Sequence, residues 1–183
     1  MDNIPSELIL KASSGDIQAF EDIYHRASGF VYSVALRVAN NAGVAEDIVQ
    51  EVFVKVYRSL RNFEFRSSFK TWLYRITVNC ALDNCKRDSR QPSSVGEAIE
   101  MVADDDKTGE RLAQQDRQKR LSDLLEKLNP DHRACIVLRE IEGLSYQEMA
   151  QSLKIKINTV RTRLKRARQA LLALAKNEVP YEL

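Results

Sequence analysis

No stretch of this sequence approaches the roughly 20 consecutive apolar residues that a bilayer-spanning helix needs. The opening residues, MDNIPSELIL, carry an acid where a secretion signal carries lysines. Neither membrane insertion nor export is expected, and a cytoplasmic location is. Cysteine is scarce: Cys80, Cys85 and Cys135 are odd in number and form no C-x-x-C pair, so a disulfide framework is excluded and reduced thiols are expected. The only histidines are His25 and His132, nothing has zinc-finger spacing, and Cys80 and Cys85 fall in an apolar helical pattern. No metal and no cofactor are expected. Neither histidine stands next to a nucleophile in sequence, and the six glycines form no phosphate-cradling loop, which argues against an enzyme.

What the chain does have is helical periodicity and unevenly placed charge. Its 183 residues and 44 % hydrophobic content suit one ordinary globular domain or two small ones. The net charge is only +2, yet residues 154–168 hold Lys154, Lys156, Arg161, Arg163, Lys165, Arg166 and Arg168 with no acid among them. Val160, Leu164, Ala167, Leu171 and Leu174 recur there at alternating spacings of four and three, the stripe of a helix that buries one face. On a helical wheel Asn158, Thr162, Lys165, Arg166 and Gln169 lie opposite the stripe, with Arg161 and Arg168 on one flank and Arg163 on the other. Such a face suits phosphates and base edges, although a solvated basic helix has the same charge pattern.

The residues before it favour the first reading. Gly143 closes a helix containing Cys135 to Ile141, and Ser145 with Glu148 three residues on forms a capping box that starts a short helix ending near Leu153. A tight connection then leads to Asn158, which is expected to cap the basic helix. Helix, turn and basic helix spell a DNA-binding helix-turn-helix, here with a turn that lacks glycine.

Residues 92–116 read as a linker, rich in turn formers and acids; from Glu97 to Asp116 seven acids face two bases, a net of −5. It is either a solvated tether or an acidic strand lying in a basic channel of a partner. The chain before it is helical. Asp16 caps a first long helix with Phe20, Ile23, Tyr24, Val31, Val34, Ala35 and Val38 as core candidates. A second, from about Val44 to Leu60, buries Ile48, Val49, Val52, Phe53, Val56 and Leu60. Asp47, Gln50, Glu51, Val54 and Arg58 project together from its other side, and a valine amid polar residues suits a partner better than water. A third helix starts near Ser68. Phe63, Phe65, Phe69, Trp72 and Tyr74 are interleaved there with Arg66, Lys70, Arg75, Lys86 and Arg87, the composition of a single-strand platform on which rings stack on bases. Phe69 and Trp72 share a face with Leu73 and Ile76 and are expected in the core.

These strings resemble the extracytoplasmic-function (group 4) sigma factors of the sigma-70 family. GDIQAFEDIY is similar to the family's opening helix, AEDIVQEVFVKVYRSL to its polymerase-binding helix and FRSSFKTWLYRITVNCALD to its promoter-melting segment. LNPDHRACIVLREIEGLSYQEMAQSLKIKINTVRTRLKRARQAL is similar to its carboxy-terminal helix-turn-helix. Where the family usually has Gly-Thr-Val, this chain has Asn158-Thr159-Val160. The resemblance implies an all-α chain of two small helical domains, 1–91 and 117–183, joined by the acidic linker 92–116. The second domain would be a helix-turn-helix (winged-helix-like) module. It further implies that Asp47, Gln50 and Glu51, with Val54 and Arg58, meet the clamp of the largest subunit of core RNA polymerase. Phe63, Phe65, Arg66, Lys70, Tyr74, Arg75 and Asn79 would handle the melted −10 promoter element. Asn158, Thr159, Arg161, Thr162, Lys165, Arg166 and Arg168 would bind the −35 element. An anti-sigma factor is implied as a partner, and a monomer in its absence. Two rival readings remain: a stand-alone helix-turn-helix regulator with an N-terminal sensing or dimerising domain, and an interaction protein that sequesters another regulator. The first gives the aromatic segment no role, and the second gives the basic face none.

Overall fold

The computed structural model describes residues 4–88 and 119–178. The expected linker, 92–116, lies outside the described residues. Helix α1 (Ser6–Ser13) ends at Gly15, whose φ of +102° turns the chain into α2 (Ile17–Ala39). The Asp16 carboxylate accepts the Ala19 N–H at 3.0 Å, so the expected cap is formed. Asn40 ends α2 in the left-handed region, and Asn41 accepts the Val44 N–H at 3.0 Å to start α3 (Ala42–Ser59). A 3₁₀ turn, Leu60–Asn62, and an aromatic loop lead to α4 (Phe69–Asp88), begun by Ser68 Oγ accepting the Thr71 N–H at 3.0 Å.

Helices α2, α3 and α4 pack on one another, and their apolar stripes meet in a core of Ile23, Val31, Val34, Val38, Ile48, Val52, Val56, Leu73 and Val78. Each large member stabilises the fold by roughly 1.5–3 kcal/mol through burial alone. Tyr24, expected in this core, is instead 40 % exposed. It sits at the α2–α3 edge with its ring against Phe53 at 4.7 Å, because a phenol there keeps its hydroxyl wet while its ring covers apolar surface.

In the second domain, residues 119–126 form α5, and α6 (Pro130–Ile136) begins with Asn129 as cap and proline in its first turn. The last turn widens into a π-helix, Val137–Ile141, with the Glu142 N–H donating to the Val137 carbonyl at 3.0 Å; Gly143, at φ +73°, ends it. Helix α7 (Tyr146–Leu153) carries the expected capping box, Ser145 with Glu148. The turn solves its lack of glycine by placing Lys154 in the left-handed region, at φ 54°. Helix α8 (Ile157–Glu178) starts two residues earlier than expected, with the Val160 N–H donating to the Lys156 carbonyl. Asn158 is therefore inside the first turn and is not the cap. Val160, Leu164 and Ala167 are buried against α6 and α7 as the stripe requires. No strand occurs among the described residues, so the helix-turn-helix has no wing there.

The two helical domains also touch. Helix α4 packs on α7, α2 and α4 pack on α6, and the buried apolar residues of both domains form one cluster.

Candidate polymerase and nucleic-acid interfaces

The outer side of α3 presents Asp47, Gln50, Val54 and Arg58 to solvent, with Val54 48 % exposed. Periodicity had not singled out its flanks. Tyr57, 58 % exposed, stands over Phe20 at 5.1 Å between ring centroids, and these two with Gln50, Phe53, Val54 and Arg58 line a shallow concavity. Tyr57 lies three residues beyond Val54, a spacing that marks it as a neighbour on the same face. Glu51 departs from the expected outward group. Its carboxylate is drawn sideways by Lys55 Nζ at 2.7 Å, Asn84 Nδ2 at 3.2 Å and Arg87 Nη2 at 3.3 Å. Burial alone would raise its pKa. The hydrogen bonds from Lys55 and Asn84, with the charges of Lys55 and Arg87, outweigh that and hold it below its usual value. Glu51 thus fastens α3 to α4.

In the aromatic segment, Phe63 is half-buried with its ring 4.7 Å from Phe65, 5.1 Å from Trp72 and 5.8 Å from Phe69. Phe69 and Trp72 are buried, as expected, and form the floor on which Phe63 rests. Phe65 is 43 % exposed at φ 55°, a conformation that a bulky side chain rarely adopts and that turns its ring outward. Arg66 and Arg75 are exposed, and Lys70 Nζ lies 5.5 Å above the Phe30 ring and 5.7 Å above that of Tyr74. Phe63 and Phe65 touch each other, and Arg66, Lys70 and Arg75 are exposed on the same segment. Two residues expected beside them are drawn towards the second domain, Tyr74 fully buried and Asn79 half-buried. Tyr74 is 1 % exposed and donates its hydroxyl to Glu142, and Asn79 Nδ2 donates to the Ser152 carbonyl of α7 at 2.9 Å. Helix α4 is covered on several sides, so its pattern could not show which polar residues face a neighbouring helix.

Asn158, Thr159, Arg161, Thr162, Lys165, Arg166 and Arg168 are all exposed on α8. Arg168 is held by Glu140 through Nε at 3.1 Å and Nη2 at 2.6 Å, and Arg163 by Asp131 at 3.0 Å. Among the described residues, Lys165 and Arg166 form no ion pair. Glu148 stays below the usual carboxylate range chiefly because the Ser145 backbone N–H donates to it, which fastens the first turn of α7. The thiols take no part in any of these faces. Burial pushes the Cys80 and Cys85 thiols up and that of Cys135 up to about 11, which favours the protonated form of each at neutral pH.

A solvent-facing aromatic and cationic rim followed by a basic recognition helix is the layout of sigma-70 specificity subunits. The chain matches the model of sigma-70 region 2 over residues 23–91 and that of sigma-70 region 4 over residues 118–171. It is 37 % identical over 175 residues to the ECF RNA polymerase sigma-E factor of Escherichia coli strain K12, covering 90 % of each chain. The chain belongs to the extracytoplasmic-function (ECF) sigma factors. As an ECF sigma factor it directs RNA polymerase to promoters. It is also 30 % identical over 174 residues to the RNA polymerase sigma-H factor of Pseudomonas aeruginosa, covering 90 % of each. Identity to the ECF sigma factor SigE of Mycolicibacterium smegmatis is 36 % over 155 residues, 84 % of this chain but only 60 % of that relative's length. Among solved structures it is similar to CnrH in complex with the cytosolic domain of CnrY, at TM-score 0.65 and 27 % identity over 94 % of this chain and 97 % of that one. The fold is also that of the sigma factor RpoE of Bartonella quintana in complex with the anti-sigma factor NepR, at TM-score 0.68 and 23 % identity over 89 % and 100 %.

Proposed function

We propose that this ECF sigma factor divides its work among three faces. The concavity on α3, with Asp47, Gln50, Val54 and Arg58, docks on the clamp of the largest polymerase subunit, and Glu51 braces it from the side. The rim of Phe63, Phe65, Arg66, Lys70 and Arg75 receives unstacked −10 bases, joined by Tyr74 and Asn79 when the second domain moves off them. Asn158, Thr159, Arg161, Thr162, Lys165, Arg166 and Arg168 on α8 bind the −35 duplex in the major groove. Residues 1–91 and 117–183 would act as the two promoter-binding units and 92–116 as their tether. The protein would be a cytoplasmic, non-enzymatic monomer, held in check by an anti-sigma factor such as the one RpoE of Bartonella quintana carries.

Opening a duplex costs roughly 1.4 kcal/mol of stacking per step, and one exposed aromatic rim offsets only a few steps at about 1–3 kcal/mol per stacked base. Polymerase must supply the rest. The observation that carries the reading is the position of Phe65, a large aromatic turned into solvent at a strained φ of 55° beside Phe63 and next to Arg66. Phe63→Ala should reduce open-complex formation on duplex promoters much more than on templates with a pre-melted −10 region. Equal losses on both templates would mean that Phe63 only supports the fold.

A further inference from the structure

Of the seven basic residues between Lys154 and Arg168, six are exposed and Arg163 is half-buried. Only 27 % of the Arg163 side chain is exposed, and its Nη1 donates to Asp131 Oδ1 of α6 at 3.0 Å. Asp131 is fixed by the start of its own helix, where Asn129 accepts the His132 N–H at 2.9 Å and Pro130 occupies the first turn. Cys135, one turn further along α6 and fully buried, feels the charge of both partners, so the pair lies against the packed seam between α6 and α8. The Arg168–Glu140 pair differs, since both of its side chains are about half exposed.

The apolar stripe of α8 does not by itself fix how the helix is turned about its axis. Val160, Leu164 and Ala167 are held by burial, and burial is non-directional. A charge pair on the flank of the stripe is directional. Its effect on Lys165 and Arg166 is geometric, because a side chain roughly 6 Å from the axis moves by about 1 Å for a rotation of about 10°. Binding groups need to be held within about 0.5 Å of their working positions.

We propose that Arg163 is a positioning residue for promoter reading: bound to Asp131, it sets the rotation of α8 and with it the bases that Lys165 and Arg166 meet, and it makes no DNA contact of its own. This role rests on the reading of α8 as the helix that binds the −35 duplex.

Salt titrations of promoter binding by the reconstituted holoenzyme, on cognate and singly substituted −35 elements, test this with Arg163→Gln, Asp131→Asn and the double variant. Each single variant should reduce the preference for the cognate element by about fivefold or more. Each should also leave the slope of log affinity against log salt at its wild-type value. The double variant should lose no more than either single one, because both remove the same pair. A phosphate contact by Arg163 predicts a different pattern. Arg163→Gln would then lower the slope by about 0.9 with base preference intact, and Asp131→Asn, which frees the guanidinium, would tighten binding to every sequence. Either result would overturn the proposal. So would an equal loss on all −35 sequences, which a pair that only supports the fold would give. A wild-type holoenzyme indifferent to −35 substitutions would overturn the reading of α8 and the positioning role with it. A wild-type preference that both single variants retain would overturn the positioning role alone.

Discussion

Replacing Arg166 and Arg168 one at a time separates base reading from phosphate anchoring on α8. Arg166 projects away from the buried Val160, Leu164 and Ala167 and forms no ion pair among the described residues, so its guanidinium is available to a base edge. A bidentate contact of that kind is worth about 1–3 kcal/mol of discrimination, which corresponds to roughly 5- to 150-fold. Arg166→Ala should cost that much on the cognate −35 sequence and flatten the preference among single-base variants. Arg168 leaves at the flank and is held by Glu140, a half-exposed pair worth roughly 0–1 kcal/mol. A DNA phosphate displaces such a partner at little cost. Arg168→Ala should therefore weaken all sequences alike and reduce the slope of log affinity against log salt by about 0.9. Glu140→Gln, which frees the same guanidinium, should strengthen all sequences alike. The assay is a salt titration of promoter binding by the reconstituted holoenzyme on cognate and singly substituted −35 elements. Base preference that survives Arg166→Ala and disappears with Arg168→Ala would refute the orientation of α8.

Two further outcomes follow from the packing. Glu51 has a pKa held below its ordinary 4.5, so its bonds to Lys55, Asn84 and Arg87 contribute fully above that value and are lost as pH falls through the depressed one. Glu51→Gln should lower thermal stability at pH 7 by up to about 1 kcal/mol, and melting curves of the two proteins should converge in acid. Convergence at pH 7 would free Glu51 from its bracing role. Ser152→Ala removes a buried hydroxyl that has no partner and should stabilise the chain by roughly 1 kcal/mol in denaturant titrations; a loss of stability would mean that the hydroxyl is satisfied.

Features decided by neighbours in sequence were the ones legible before folding. Asp16 before α2 and Ser145 with Glu148 before α7 form the caps that their spacing predicts, because a cap involves only three or four residues. The stripe Val160, Leu164 and Ala167 was equally plain, since one face of α8 is buried and the other is wet. Tyr74 was expected at an accessible surface and is buried for the opposite reason, while Asn79 is half-buried. Helix α4 meets α2, α3, α6 and α7, so nearly every direction from it is occupied and periodicity cannot tell a groove from a neighbour. The sideways pull on Glu51 depends on Asn84 and Arg87, more than thirty positions away, and the ion pair of Glu142 on Arg37, at a separation of 105. Lys154 shows a local limit as well, since a lysine can take the left-handed turn position that glycine normally advertises.

If this chain works as a subunit of RNA polymerase, a sizing column will show it. The purified chain mixed with core polymerase should co-elute with it in equimolar amount. Asp47→Arg combined with Val54→Glu should abolish co-elution while the helical circular-dichroism signal persists, because exposed positions change stability by under about 0.5 kcal/mol. A chain that elutes alone as a DNA-binding dimer, indifferent to polymerase, would instead be a stand-alone regulator.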